Sequence, residues 1–135
     1  MDLVEDRVVY TGTLPAEPGN VGTLRRELAV ALRPLHLGSD RLADVSLVVS
    51  EALTNAAIHA YISMTPGSMT LEATVSRGSL RVTVSDEGRG MVPRTDSPGL
   101  GLGLGLMARL TDVIEISSPG GRGTEVCLRF PLQES

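Results

Sequence analysis

Residues 39–61, SDRLADVSLVVSEALTNAAIHAY, carry the pattern that decides the fold. At about 100° per residue, seven apolar side chains of this stretch fall within one stripe about 100° wide. The stripe comprises Leu42, Val45, Val49, Ala52, Leu53, Ala56 and Ala60. This spacing predicts one long amphipathic helix from about Ser39 to Tyr61, with the apolar stripe facing the core.

The residues before this helix predict a strand, a turn and a first, shorter helix. The strand covers Arg7–Thr13, and the turn, rich in proline and glycine, covers Leu14–Gly19. Asn20 is a possible N-cap of the helix and Pro34 lies near its end. The apolar residues at helical spacing are Val21, Leu24, Leu28, Ala31, Leu32 and Leu35.

The residues after the long helix alternate in polarity, as strands do. They predict strands over Met69–Ser76 and Ser79–Ser85, joined by a two-residue hairpin turn at Arg77 and Gly78. A loop is expected over residues 87–102, a helix near Leu104–Leu110, and strands near Val113–Ser117 and Thr124–Phe130. This order of elements predicts an α/β fold, a two-layer sandwich in which helices cover one face of a mixed, mostly antiparallel sheet.

Length and composition indicate one domain over residues 1–135 and exclude several functions. The chain is 41% hydrophobic, enough for a single core, and its charge of -4 with only two Tyr and one Phe argues against nucleic acid as a partner. All twelve basic residues are arginine, so a P-loop, which needs lysine, is excluded. We expect a cytoplasmic protein without a membrane partner, since neither a signal peptide nor a spanning run is found. The lone Cys127 is expected to be an inert packing residue.

The long helix bears a polar stripe beside its apolar one. Glu51, Asn55 and His59 follow one another at intervals of four residues, about 40° apart around the helix. Asn55 offers a carbonyl oxygen, a hard ligand that suits Mg²⁺ bridging phosphates, and Glu51 can accept a proton. The alternative is an ordinary polar helix edge, with His59 hydrogen-bonded within the fold.

A second group of residues, DEGRGM from Asp86, follows a predicted strand. A carboxylate at the strand end can accept the exocyclic N–H of adenine, and Gly88 and Gly90 allow backbone to approach a base closely. The alternative is a loop in which Asp and Gly supply turn chemistry alone.

A third group, GLGLGLGL from Gly99, leads into a predicted helix. Alternate glycines leave backbone N–H groups unblocked, and a helix N-terminus adds partial positive charge, so this segment predicts a phosphate cradle without lysine. The alternative is a flexible Gly-Leu loop. Gly121, Gly123 and Thr124 predict a turn into the last strand, where the Thr124 hydroxyl either joins Asp86 near the base or belongs to a plain hairpin turn.

Taken in order, these segments resemble the GHKL ATPase superfamily over nearly the whole chain. ExxxN from Glu51, DxGxG from Asp86, GxGxGL from Gly101 and GT at Gly123 are similar to its four nucleotide-binding boxes. SEALTNAAIHAY and the small size resemble the anti-sigma factors that are also serine/threonine-protein kinases in bacterial partner-switching systems. The resemblance implies a Bergerat-type ATP-binding fold that binds ATP and Mg²⁺. It further implies a homodimer that sequesters a sigma factor and phosphorylates a serine of a STAS-type anti-anti-sigma protein.

The same resemblance implies roles for individual residues. Glu51 would be the general base, Asn55 the Mg²⁺ ligand and Asp86 the adenine contact, while Arg25, on the exposed face of the first helix, would meet both partners. The other nucleotide contacts would be Gly88, Gly90, Met91, Gly101, Leu102, Gly103, Leu104, Gly105 and Thr124.

Two departures from the family keep alternative functions open. The segment VPRTDSPGL, residues 92–100, is short for the lid of these kinases, and Gly99 replaces an arginine for which only Arg94 can substitute. Positive charge on the γ-phosphate supplies much of the rate of phosphoryl transfer. One alternative is therefore a nucleotide-gated anti-sigma or regulatory module with little kinase activity, and another is the catalytic subunit of a split histidine kinase.

Overall fold

A computed structural model of the chain describes residues 6–59, 67–88, 110–111, 113–118 and 123–132. The described elements are five strands, two α-helices and one turn of 3₁₀ helix between the helices. In chain order they are β1 (Arg7–Pro15), α1 (Pro18–Ala31), the 3₁₀ turn (Arg33–Leu35), α2 (Ser39–His59), β2 (Ser68–Ser76), β3 (Ser79–Asp86), β4 (Val113–Ser117) and β5 (Thr124–Pro131).

The strands form one sheet in the order β1-β2-β3-β5-β4. All four described pairings are antiparallel. Because β5 lies antiparallel to both β3 and β4, these two strands run in the same direction on either side of it. The chain therefore leaves β3 at one end of the sheet and enters β4 at the other.

The inner face of the sheet is apolar and packs against the two helices, which confirms the predicted α/β sandwich. Alternate residues of the three central strands are buried there, namely Met69, Leu71, Ala73, Leu80, Val82, Val84, Val126, Leu128 and Phe130. Leu24 and Leu28 of α1, with Val45, Val49 and Leu53 of α2, complete the core. Full burial of each large aliphatic side chain stabilises the fold by about 1.5–3 kcal/mol.

The outer face of the sheet is polar. Cys127 is half-buried on this face, where its register partners are Thr83 on β3 and Glu115 on β4. Val126 and Leu128, which flank Cys127 in the sequence, occupy the inward-facing positions of β5. The packing role predicted for Cys127 is therefore on the outer face of the sheet and not in the core.

The start of α1 was predicted wrongly. Its N-cap is Glu17, without a side-chain cap, and the helix begins at Pro18. The carboxamide of Asn20, the predicted N-cap, instead donates to the Pro15 carbonyl at 2.9 Å. Proline suits the first position of a helix, where its fixed φ is already helical and its missing N–H has no partner to lose.

Three other predicted elements differ from the structure or extend beyond its described residues. β1 continues to Pro15 because its last residues pair with β2, as Pro15 does with Ser68. The description of α2 ends at His59, so the last predicted helical residues lie outside the described part. Of the helix predicted near Leu104–Leu110, only Leu110 is described.

Tyr10 ties the edge strand β1 to α1. Its hydroxyl donates to Glu27 Oε1 at 2.6 Å. The phenol lies over Gly12, where a Cβ would contact the ring and approach Leu24 Cδ2 to 3.1 Å. Within the described part of the chain, neither helix is long and apolar enough to cross a bilayer.

Candidate nucleotide site

Helix α2 begins at one end of the sheet and extends toward the other. A cavity of about 500 Å³ is lined by Gly38 and Asp40 near its start together with Leu132, which directly follows β5. From there α2 packs across β2 and β3. At about 1.5 Å per residue, Asn55 lies about 24 Å from the start of the helix, comparable to the roughly 27 Å that β5 spans. The second half of α2 therefore lies toward the end of the sheet where β3 ends and β5 begins.

Glu51 and Asn55 lie in that second half, one turn apart on one flank of α2. Both side chains are half-buried. In the described part of the chain, no side-chain hydrogen bond or ion pair engages either of them. The predicted pair of carboxylate and carboxamide is thus held side by side on a rigid helix, with its polar atoms free to meet a ligand.

Asp86, the last residue of β3, stands at the same end of the sheet. It continues the inner row of β3 after Val84, so its side chain faces the helical layer, and its register partner on β5 is Thr124. The structure thus brings together the predicted adenine contact and the predicted threonine, because antiparallel pairing sets the last residue of β3 opposite the first of β5.

Backbone N–H groups hold the Asp86 carboxylate. Gly88 donates its N–H to Asp86 Oδ1 at 2.9 Å. Burial raises the pKa of this carboxyl, and the hydrogen bonds from the backbone of Gly88 and Thr124 act in the opposite direction. A half-buried carboxylate oriented by two backbone donors is suited to accept the N–H of a base in a cleft.

Gly123 closes this corner of the sheet, a role that the sequence did not reveal. It has a φ of 72°, and its N–H donates to the Gly88 carbonyl at 3.2 Å. A Cβ at this position would collide with the Asp86 carbonyl oxygen and lie 3.0 Å from Glu87 Cα. Only glycine therefore allows β5 to begin so close to the end of β3.

Ser118, directly after β4, completes the corner and was also missed. Its hydroxyl donates to the Gly123 carbonyl at 2.6 Å. A serine at a strand end carries no distinctive sequence signal, so only the sheet order, which sets β4 beside β5, assigns it this role.

A cavity of about 300 Å³ lies next to Asp86 and Thr124, but most of it opens on the outer face of the sheet. Its other lining residues include Thr70, Ser85 and Glu125, which alternate with the inward-facing positions of their strands. The predicted nucleotide site faces α2, so this outer cavity is not that site.

The sequence predicted that Arg25 lies on the exposed face of α1, but its side chain is half-buried. Its Nη1 donates to Ser50 Oγ on α2 at 3.4 Å. Gly22 lies beside it, and a Cβ there would be in ordinary contact with Arg25 Nη2 at 3.5 Å. The guanidinium group thus lies along the seam between the helices, beside the residue that precedes Glu51.

Several predicted site residues lie outside the described part of the chain. These are Gly90, Met91, Gly101, Leu102, Gly103, Leu104 and Gly105, together with Gly121 and the lid residues Arg94 and Gly99. The side chain of His59 is likewise outside it.

The described residues fit a magnesium-bound nucleotide. Asp86 supplies a half-buried acceptor at the strand end, and Asn55 supplies a carbonyl oxygen of the kind Mg²⁺ prefers. Among the described residues, no group of three or more His, Cys, Asp or Glu forms a metal cage of the protein's own. Mg²⁺ commonly has few protein ligands, because it keeps its waters and binds substrate phosphates.

An antiparallel sheet layered with helices, an acid-amide pair on one helix and a glycine-lined aspartate form the arrangement expected of an ATP-binding domain of the GHKL class. A profile of the histidine kinase-like ATPase domain matches residues 14–130. The chain belongs to this family, and the resemblance drawn from its motifs is confirmed.

Curated relatives resemble the chain over most of its length. An anti-sigma F factor of Halalkalibacterium halodurans is 29% identical over 131 residues, 89% of this chain and 90% of that protein. The serine-protein kinase RsbW of Bacillus velezensis is 32% identical over 123 residues, 80% of this chain and 77% of the relative.

Solved structures show the same fold. A crystal structure of the RsbU and RsbW domains of a Mycobacterium tuberculosis protein matches with a TM-score of 0.71 and 24% identity, over 90% of this chain and 31% of that one. A blue-light activated histidine kinase of Erythrobacter litoralis matches with a TM-score of 0.62 and 32% identity, over 71% of this chain and 32% of the other. The chain thus spans about a third of each of these longer proteins.

Proposed function

We propose that this protein is an anti-sigma factor and a serine/threonine-protein kinase. In this proposal it sequesters a sigma factor, binds ATP with Mg²⁺, and phosphorylates a serine of a STAS-type anti-anti-sigma protein. It acts in the cytoplasm as a homodimer, with Arg25 in contact with both protein partners. The names of the anti-sigma and serine-kinase relatives support the proposal.

The observation that carries the proposal is the placement of Glu51 beside Asn55 on α2, toward the end of the sheet that bears Asp86. A kinase must hold the base of ATP at one point and bring an acceptor hydroxyl to the γ-phosphate at another. Asp86 provides the first contact at the strand end, and the helix provides the second. Because Asp86 lies on the sheet and Glu51 lies on the helix that covers it, one ligand between the two layers can be held at its base and at its phosphates.

Each residue then has a defined task in the transfer. Glu51 takes the hydroxyl proton of the acceptor serine as the serine oxygen bonds to the γ-phosphorus. At the same time the bond from that phosphorus to the bridging oxygen breaks, and ADP leaves. Asn55 would hold Mg²⁺ through its carbonyl oxygen, and the ion would supply positive charge against the phosphates. Asp86 selects adenine by accepting its N–H.

Label transfer from γ-labelled ATP to a recombinant STAS-domain protein tests the proposal. We expect Glu51→Gln to lower the transfer rate by about 100- to 10,000-fold and to leave the dissociation constant for ATP unchanged. Asp44→Asn is the matched control, because it neutralises a carboxylate near the start of the same helix. If wild type binds ATP without labelling the acceptor, the protein is a nucleotide-gated module and not a kinase.

A further inference from the structure

From Val45 to Ile58, the outer face of α2 differs from that of α1 in having almost no charge. Between Val45 and Ile58, Glu51 is the only charged residue of the sequence. Leu47 and Ile58 expose 44% and 49% of their surface, whereas the exposed residues of α1 include Arg26 and Glu27. A solvent-facing helix surface is normally polar, and loss of charge with exposed large apolar side chains is typical of the core of a protein interface.

The two exposed apolar residues lie on the same stripe of the helix as Glu51. Leu47, Glu51, Thr54 and Ile58 follow one another at i, i+4, i+7 and i+11, the spacing of a single helix face. At about 1.5 Å per residue the stripe is about 16 Å long. A body that rests on both Leu47 and Ile58 therefore covers Thr54 and passes directly over Glu51.

Glu51 also marks the border between this stripe and the nucleotide flank. Asn55 is displaced from it by about 40° in one direction around the helix, and Leu47 by about 40° in the other. A general base in phosphoryl transfer needs this position, with the phosphate on one side and the incoming hydroxyl on the other.

We propose that the stripe formed by Leu47, Thr54 and Ile58 is the docking surface for the protein that accepts the phosphoryl group. This inference rests on the proposed kinase function. The acceptor would be a folded protein that presents a hydroxyl side chain within an apolar patch, so that contact with Leu47 and Ile58 sets the hydroxyl against Glu51. Continuity with the candidate catalytic carboxylate favours this occupant, because any other permanent partner on a stripe that borders Glu51 would keep the acceptor hydroxyl away from that carboxylate.

The test compares Leu47→Gln, Ile58→Gln and the double variant with wild type. The probe is a recombinant STAS-domain protein that the full-length wild-type chain labels from γ-labelled ATP. Glutamine keeps helix propensity and both sites are already half-exposed, so the fold is retained. Val30→Gln is the matched control, since Val30 is 54% exposed on α1 and lies outside the stripe.

We expect the KM for the acceptor to rise about fivefold in each single variant and about thirtyfold in the double variant. The dissociation constant for ATP and the rate at saturating acceptor should stay the same, and Val30→Gln should match wild type. The inference is overturned if the double variant labels the acceptor with an unchanged KM.

Two further outcomes would identify a different occupant and overturn the inference. A double variant with unchanged KM that becomes monomeric in sedimentation would assign the stripe to a second copy of the chain. One with unchanged KM and a lowered unfolding midpoint would assign it to another segment of the same chain. If the wild-type chain labels no STAS-domain protein at all, this result contradicts both the proposed kinase function and the docking surface that rests on it.

Discussion

Alanine substitution at Gly123 and at Gly78 distinguishes two effects on stability. Both variants place alanine in a left-handed conformation, but only Gly123 lies in the corner around Asp86. Gly123 and Gly78 have nearly the same left-handed conformation, with φ of 72° and 77°. At Gly78, in the turn between β2 and β3, a Cβ would meet nothing within 4 Å. At Gly123 it would collide with the Asp86 carbonyl oxygen and lie 3.0 Å from Glu87 Cα.

The expected destabilisation follows from these surroundings. A left-handed alanine costs about 1–2 kcal/mol at either site. At Gly123 the backbone of β3 must also move, which disturbs the 3.2 Å hydrogen bond to Gly88 and the 2.9 Å hydrogen bond that holds Asp86. These bonds contribute about 0.5–1.5 kcal/mol each. We expect the free energy of unfolding to fall by about 1–2 kcal/mol in Gly78→Ala and by about 2–5 kcal/mol in Gly123→Ala.

Urea unfolding of the two variants, with ATP titration by calorimetry, measures both effects. Gly78→Ala should bind ATP as wild type does, because the turn lies at the opposite end of β3 from Asp86. Gly123→Ala should bind ATP at least about tenfold more weakly, a loss of about 1.4 kcal/mol. Equal destabilisation by both variants, or unchanged ATP affinity in Gly123→Ala, would refute the assignment of this corner to the nucleotide site.

Three other substitutions test single contacts. Tyr10→Phe should cost about 1 kcal/mol at pH 7 by removing the bond to Glu27. Burial, then Glu27, raises the pKa of Tyr10 from 10.0 to about 12, so this stability is present below pH 10 and is lost as the pH rises to 12. The two proteins should therefore converge in urea melts at high pH. Asp86→Asn should weaken ATP binding about 10- to 100-fold, since hydrogen bonds to charged groups contribute about 1.5–3 kcal/mol. Arg25→Ala should change the unfolding free energy by less than about 0.5 kcal/mol, because its 3.4 Å contact with Ser50 is long, but should weaken capture of both protein partners.

The pH dependence of Asp86→Asn gives that variant a second readout. Burial raises the pKa of the Asp86 carboxyl above 3.8. The charged carboxylate therefore lowers the free energy of unfolding at pH 7. This penalty disappears as the pH falls through the raised pKa toward 3.8, because the carboxyl becomes protonated. Relative to the variant, wild type should gain stability on acidification. A gap between the two proteins that is constant from pH 7 to pH 4 would contradict the burial of this carboxylate.

The sequence predicted the parts of the fold that depend on local patterns. The period of 3.6 residues identified α2 and most of its buried face, including Val45 and Leu53. Val48 was missed although it is fully buried, because α2 packs against both α1 and the sheet and buries a wider arc than one stripe. The N-cap was misplaced because proline at the first helical position outweighed a favourable cap residue three positions on.

The candidate site was predictable where one segment carries the chemistry, and not where several strands meet. Glu51 and Asn55 share one helix, so their spacing alone sets them side by side. The roles of Gly123 and Ser118 depend on the order β3-β5-β4, which no local pattern specifies. The half-burial of Arg25 likewise depends on how α1 packs against α2. Such features follow from tertiary contacts and enter only with the structure.

The chemical stability of the transferred phosphate tests the central claim most directly. After incubation of the full chain with γ-labelled ATP and a STAS-domain protein, we expect label that survives acid, as phosphoserine does, and no label with Glu51→Gln. An acid-labile label would indicate a histidine acceptor and contradict the serine kinase. Undiminished labelling by Glu51→Gln would contradict the role assigned to the carboxylate on α2.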